Sequence, residues 1–258
     1  MQIIDTHCHL YAAEFDNDID DLISKAKTLG VDEFYMPAID NSTHIKMVSL
    51  AEKYPQCCFS MMGLHPCSVK EDWEKEMEIV VDWLKQKEFA AIGEAGLDFY
   101  WDKTFIKEQY LALEKQIALA LTYQIPLVLH TRNAMQETIG IIKKYKNTGL
   151  RGIFHCFGGS AEEALQIIET GFYLGIGGVL TYKKSGLQDV IKNIDLAHIV
   201  LETDAPYLSP VPYRGKRNES AYIIEVAKKL AEIKNIPVDE VAAITSMNAK
   251  KIFKNKNV

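Results

Sequence analysis

The chain has 258 residues, 48% hydrophobic and 25% charged, which fits a globular protein with one barrel-sized domain over residues 1–258 and excludes a disordered or fibrous chain. Its net charge of −6 and pI near 5.7 exclude the broadly basic surface that coats duplex DNA, so any nucleic-acid contact has to be local. The sequence carries neither a secretory leader pattern nor an apolar run of about 18 residues, and its five cysteines fall in no Cys-x-x-Cys pair. The expectation is a cytoplasmic protein with reduced thiols, no membrane association and no obligate protein partner.

From the N-terminus onward, short apolar runs alternate with amphipathic ones. Residues 3–10 read as a buried strand, so His7 and His9 project from one face with about 6 to 7 Å of rise between them, close enough to grip one metal ion. A helix over 18–29 follows, with Ile19, Leu22, Ile23, Ala26 and Leu29 on one side and Gly30 as its C-cap. Strand two covers 33–39. Ser42 is the expected N-cap of a helix running to 54, which Pro55 stops. Strand three covers 59–64 and delivers His65, a helix spans 73–87, and strand four covers 89–97 with Glu94 near its end. A long helix over 105–123 leads to strand five, 125–132, which carries His130 and Arg132. Strands six, seven and eight cover 152–157, 172–180 and 199–204. Between them lie helices over 134–145, 160–169 and 186–193, and two more, over 219–234 and 238–253, end the pattern.

Strand candidates that begin roughly 20 to 35 residues apart with helices between them predict an α/β fold of the (β/α)8 TIM-barrel type, with a doubly wound open sheet as the competing arrangement. The polar residues favour the barrel. His9, His65, Glu94, His130, His155 and Asp204 all fall at the C-terminal ends of different predicted strands, and only a barrel brings those ends to one mouth. There, the imidazoles of His7, His9, His130 and His155 and the carboxylates of Glu94 and Asp204 suffice for two divalent ions with positions left for water and substrate. Glu94 is the best bridging candidate, because a carboxylate can present both oxygens. Two such ions make the mouth locally positive and suit an anionic substrate such as a phosphodiester.

Other residues read differently. His44 lies in a predicted helix and His198 just ahead of strand eight, so both are expected to be surface or structural. Asp204 competes with Glu202, on the same face of strand eight, for the mouth-facing role. Arg132 follows His130 on one face and is expected to meet substrate or to pair with Glu94 or Glu202. The loop Arg214-Gly215-Lys216-Arg217 is a phosphate-binding candidate because it directly follows strand eight. Candidate substrate contacts are therefore His65, Arg132 and Arg214.

Seven segments taken together resemble one family. Asp5-Thr6-His7-Cys8-His9, Gly63-Leu64-His65-Pro66, Gly93-Glu94-Ala95-Gly96-Leu97-Asp98, His130-Thr131-Arg132, His155-Cys156-Phe157-Gly158-Gly159, Leu201-Glu202-Thr203-Asp204-Ala205-Pro206 and Arg214-Gly215-Lys216-Arg217-Asn218-Glu219 are similar, in order, to the motifs of the TatD family of metal-dependent deoxyribonucleases, within the amidohydrolase superfamily. The resemblance runs from residue 5 to about residue 250. It implies a (β/α)8 barrel with divalent metal (Mg, Mn or Zn) in the mouth and exonuclease-like hydrolysis of DNA, single-stranded or at ends. It also implies that His7, His9, Glu94, His130, His155 and Asp204 are the metal ligands, that Glu94 and Asp204 are catalytic, and that Asp204 orients the attacking water. The family commonly has Ile where Ala95 stands and Pro where Ser220 follows Glu219; neither change touches a ligand. Where another branch of the superfamily bridges its metals with a carboxylated lysine, strand four here offers Glu94. Two further readings are hydrolysis of another ester on a nucleic acid, such as D-aminoacyl-tRNA, and metal-dependent nucleic-acid binding without turnover.

Overall fold

The computed structural model describes residues 2–253. Its strands are β1 (Ile3–Asp5), β2 (Val31–Pro37), β3 (Cys58–Met61), β4 (Ile92–Asp98), β5 (Leu127–Arg132), β6 (Gly152–Phe154), β7 (Tyr173–Ile176) and β8 (Ile199–Leu201). The helices between and after them are α1 (Ile19–Thr28), α2 (Asn41–Lys53), α3 (Trp73–Gln86), α4 (Ile106–Tyr123), α5 (Met135–Lys143), α6 (Ala161–Glu169), α7 (Leu187–Lys192), α8 (Ile223–Lys234) and α9 (Val238–Phe253). All strand pairs are parallel, in two runs ordered β1-β2-β3 and β4 through β8.

Two seams join these runs into the expected barrel. Between β3 and β4, Met62 bridges Ile92, its amide donating to Ala91 O and its carbonyl accepting from Gly93 N, both at 3.0 Å. Between β8 and β1, Thr6 N donates to Leu201 O at 3.1 Å and Asp204 N to His7 O at 2.9 Å. The buried Asp5 carboxylate locks that second seam, accepting from Thr203 N at 2.9 Å and Thr203 Oγ1 at 2.6 Å. Burial pushes the Asp5 carboxyl up to about 7 even though these donors work against the shift.

Inside the ring, Ile4, Tyr35, Met61, Ala91, Val128, Ile153 and Val200 form one apolar cluster with Ala249 and Ile252 of α9, while a larger cluster fills the space between strands and helices. Val128, Ile153 and Val200 each stand two residues before a polar residue of the mouth: His130, His155 and Glu202. Period-2 alternation thus stacks a polar layer on an apolar floor, and each aliphatic side chain buried in that floor contributes about 1.5 to 3 kcal/mol. Strand β4 departs from the alternation, since Glu94 lies three residues after Ala91. A register shift between Ile92 and Ala95 rephases the strand and turns Glu94 inward. Gly96, at φ +145°, lies against the His130 backbone where a Cβ has no room, so this close approach needs glycine.

The helices follow the sequence pattern to within a residue or two, except that α8 begins at Ile223, after a 3-10 turn over Ser220–Tyr222, rather than at 219, and Gly30 ends α1 with φ +86°. Strands three, six and eight end three residues early, at Met61, Phe154 and Leu201, strand four begins at Ile92 rather than 89, and other expectations change too. Ser42 is not the cap of α2: Asp40 is, accepting from Ser42 N at 3.1 Å while Thr43 Oγ1 accepts from Asp40 N at 3.3 Å, a reciprocal box that starts the helix earlier. The predicted strand over 172–180 stops at Ile176 and continues as a 3-10 turn, Gly178–Thr181. Likewise β1 ends at Asp5, although Thr6 and Cys8 go on bonding to Leu201 O and Tyr35 O on opposite sides and so keep the chain extended through the histidines.

Helix α4 fixes two strand ends with one face. Gln109 and Gln116, both buried and seven apart, share that face. Gln116 accepts from Leu64 N at 2.9 Å and donates to Leu64 O at 3.0 Å, just before His65. Gln109 does the same for the Asp98 backbone at 2.9 and 3.2 Å. Gln116→Ala leaves a buried amide and carbonyl unpaired, and we expect it to lower stability by about 2 to 4 kcal/mol, read as an earlier urea midpoint at unchanged slope.

Candidate metal centre

Five imidazoles surround the Glu94 carboxylate, which is only 2% exposed. Its two oxygens face different groups. Oε2 lies 3.2 Å from His7 Nε2 and 3.8 Å from His9 Nε2; Oε1 lies 2.9 Å from His130 Nδ1 and 3.6 Å from both His65 Nε2 and His155 Nε2. Burial alone would raise this carboxyl, but the charges on His7, His65 and His155 and the hydrogen bond from His130 hold it well below the usual carboxylate range.

His7 and His9 do share a face, with ring centroids 5.2 Å apart, and His7 stacks on His155 at 3.5 Å. Asp204 closes this side: its Oδ1 is 3.4 Å from His9 Nε2, 3.8 Å from His7 Nε2 and 4.0 Å from His155 Nε2. It belongs beside the strand-one histidines rather than across from them, because β8 and β1 are neighbours in the closed ring. Although burial works to raise it, the imidazoles of His9, His155 and His7 hold Asp204 below its ordinary value. Its backbone, at φ +57°, takes a left-handed conformation that Asp tolerates better than most residues.

Behind the imidazoles stand two more buried carboxylates. Glu202, fully buried, places Oε1 3.0 Å from His155 Nδ1 and accepts from Cys156 N at 2.6 Å; Gly175 on β7 supplies the space, since a Cβ there would collide with the Glu202 carboxylate. Glu202 therefore backs His155, and Asp204 is the strand-eight carboxylate that meets His7 and His9. Asp98 plays the matching part for His130, its Oδ2 lying 2.9 Å from Nε2. Desolvation opposes ionisation of Asp98, yet that contact and the amides of Tyr100 and Trp101 hold it far below the usual range. Sequence reasoning passed over Asp98; the available signal was its position at the end of the Glu94 strand. Burial disfavours protonation of His155, but Glu202 and Glu94 outweigh it and push this imidazole up to about 10. His7, by contrast, is lowered by burial.

The substrate candidates separate. His65 stands in the cluster, its Nε2 3.3 Å from His130 Nδ1. Arg132 pairs with neither Glu94 nor Glu202: it is exposed, its guanidinium 4.1 Å above the Tyr100 ring and 5.2 Å from that of Trp101, because the strand end carries it past the carboxylates to the rim. Arg214 is also exposed and covers the Tyr182 ring at 4.4 Å. Arg217, in the same loop, is committed to Asp18 at 2.6 and 3.0 Å. His44 is buried in α2 and His198 half-buried before β8, both apart from the cluster.

Four overlapping groups among the described residues have donor atoms close enough for one ion: His7, His155 and Asp204; His7, His9 and Glu94; His65, Glu94 and His130; and His155, Cys156 and Glu202. Neither His7 nitrogen makes a hydrogen bond, since the oxygens near Nε2 lie out of alignment. A fully buried imidazole with two unmade bonds is costly, and a divalent ion at Nε2 would satisfy one of them. The donor set of imidazoles and carboxylates fits Zn or Mn.

With barrel and centre defined, the chain can be placed among known proteins. The family model described as TatD related DNase matches residues 4–254, and the chain belongs to that family. An uncharacterized metal-dependent hydrolase of Bacillus subtilis, YabD, is 35% identical over 98% of this chain and 99% of its own length. A protein of Citrobacter koseri named 3'-5' ssDNA/RNA exonuclease TatD is 30% identical, covering 97% of this chain and 98% of that one. The crystal structure of YjjV, a TatD homologue of Escherichia coli, superposes with a TM-score of 0.92 at 29% identity, covering 98% of each chain.

The carboxylates behind the imidazoles give the first test of the centre. Glu202→Gln keeps the shape but removes the charge that orients His155, so we expect affinity for Mn or Zn to fall about 10- to 100-fold, measured by competition with a chromogenic chelator.

Proposed function

We propose that this protein is a metal-dependent hydrolase that cleaves phosphodiester bonds of DNA, working inward from an end of a single strand, with two divalent ions (Mg, Mn or Zn) held by His7, His9, Glu94, His130, His155 and Asp204. The observation that carries the reading is the division of the Glu94 carboxylate, one oxygen turned to His7 and His9 and the other to His65, His130 and His155, as a residue shared by two ions requires. Family membership and the exonuclease name of the Citrobacter relative support the choice of substrate.

When bound, such ions polarise a phosphoryl oxygen and lower the pKa of water from 15.7 to about 7. This chain's own residues supply the rest. Asp204, held in its ionised form, accepts the proton of the attacking water and aims its oxygen at phosphorus. Glu94 fixes the spacing of the histidine groups, while Glu202 and Asp98 fix the rings of His155 and His130. His65 lies beside the cluster, and Arg132 and Arg214 on the rim contact the phosphates of the strand, where a guanidinium offers two parallel donors.

Two experiments test this. Asp204→Asn preserves the side-chain shape but abolishes its charge and basicity; kcat on labelled single-stranded DNA is expected to drop by about 10² to 10⁴ at saturating metal, with at least one ion retained by elemental analysis. Activity within tenfold of the parent at equal occupancy would transfer the base role to another group, and cleavage of D-aminoacyl-tRNA in place of DNA would replace the substrate. Separately, Arg214→Ala should raise KM for DNA about tenfold or more, as loss of one charge-assisted contact does, without altering metal content; an unchanged KM removes Arg214 from the binding surface.

A further inference from the structure

On the rim above β4 and β5, a short loop presents two aromatic rings to solvent. Trp101 is 67% exposed and Tyr100 50% exposed, and their rings meet edge to face with centroids 4.8 Å apart. Arg132 lies over Tyr100 at 4.1 Å. A cation–π contact accounts for the position of Arg132, but it leaves the Trp101 ring mostly in water, although a tryptophan gains stability from burying its large surface.

The loop is held firmly and close to the metal centre. One Asp98 carboxylate serves both: Oδ2 approaches His130 Nε2 at 2.9 Å, and Oδ1 accepts from Tyr100 N at 2.9 Å and Trp101 N at 3.1 Å. Phe99 N donates to Arg132 O at 2.9 Å, and at the far end Asp102 pairs with Lys70 at 2.7 Å. Because Arg132 is two residues beyond His130 on β5, it stands about 6 to 7 Å further toward solvent on the same face, roughly the length of one nucleotide.

We propose that Trp101 and Tyr100, backed by Arg132, form a shelf that stacks the unpaired nucleobase next to the phosphodiester held in the mouth. The proposal rests on the nucleic-acid reading above and deepens it. A base offers its flat face to an aromatic ring whatever its sequence, and the Arg132 guanidinium beside the rings matches the phosphate that accompanies the base. In a duplex both faces of an internal base are covered by its neighbours, so the shelf takes only a base that has left the stack. Preference for single strands and frayed ends then comes from the protein surface rather than from the metal chemistry.

The test measures binding apart from turnover. Short phosphorothioate oligothymidylates, and their ribose counterparts, are titrated into the metal-loaded protein while tryptophan emission is followed, with an abasic phosphorothioate of equal length and charge as comparison. We expect the base-bearing oligomers to quench emission in the parent and not in Trp101→Phe, and Trp101→Ala to raise their Kd about tenfold while the abasic oligomer binds parent and variant alike. Trp101→Phe, which keeps a ring, should retain most of the affinity and shows that the fold is intact. Equal affinity of the parent for base-bearing and abasic oligomers, or an unchanged Kd in Trp101→Ala, overturns the shelf. Quenching by both sugars means the base alone is read, and quenching by one assigns the ligand to that sugar; both outcomes support the shelf. If metal-loaded parent quenches but cleaves no unmodified DNA or RNA, the hydrolase reading fails and the shelf stands.

Discussion

Everything in the mouth depends on keeping one carboxylate charged where water does not reach. Glu94 is 2% exposed, and a buried charge without partners costs far more than a single domain has to spare. Five imidazoles offset that cost, and they are drawn from β5 and from the segments following β1, β3 and β6. No local segment supplies them together; convergence of strand ends does. The same carboxylates set the protonation of the ring around them. His65, His130 and His155 are all shifted toward their charged forms and His7 away from it, so divalent ions binding there would compete with protons. Metal affinity should therefore climb with pH through the range in which those imidazoles release their protons.

The sequence made the barrel and most of the centre legible, for reasons particular residues illustrate. Helical periodicity is long and redundant: the expected span 238–253 is the observed α9, and α1 ends at Gly30 as its capping signal indicates. Strand ends were less visible, because an apolar run reports burial and not ladder pairing. Phe172 to Leu180 is buried or nearly so throughout, yet the ladder ends at Ile176. The Ser42 expectation failed because Asp40 offers a stronger acceptor two residues earlier. What the sequence could not display was anything set by register or by long closure. Asp98 reaches His130 only because β4 and β5 align Asp98 with Arg132, and Arg217 left the phosphate-binding candidates because Asp18, at the other end of the chain, captures it.

Charge distribution makes the proposed anionic substrate compatible with an acidic protein. The net charge is −6, but buried carboxylates such as Asp5, Glu94, Asp98 and Glu202 contribute to that sum without facing solvent. At the rim two exposed arginines rest on aromatic rings, Arg132 on Tyr100 and Arg214 on Tyr182. Contact with a strand, on the proposed reading, would thereby be confined to the mouth, with long-range attraction to duplex kept weak.

The seam between β8 and β1 has a further consequence, for the timing of folding. Asp5 and Thr203, which lock it, are 198 residues apart, so this contact closes a loop nearly as long as the chain, and closures of that kind come late and slowly. Its two sides carry His7 and His9 on one hand and Asp204 on the other. An ion shared by them, as proposed above, would be a cross-link fastened only after the ring has shut. It would tie the first residues to the last third of the chain and favour the closed ring by mass action, so that metal would bear on the stability of the barrel as well as on its chemistry.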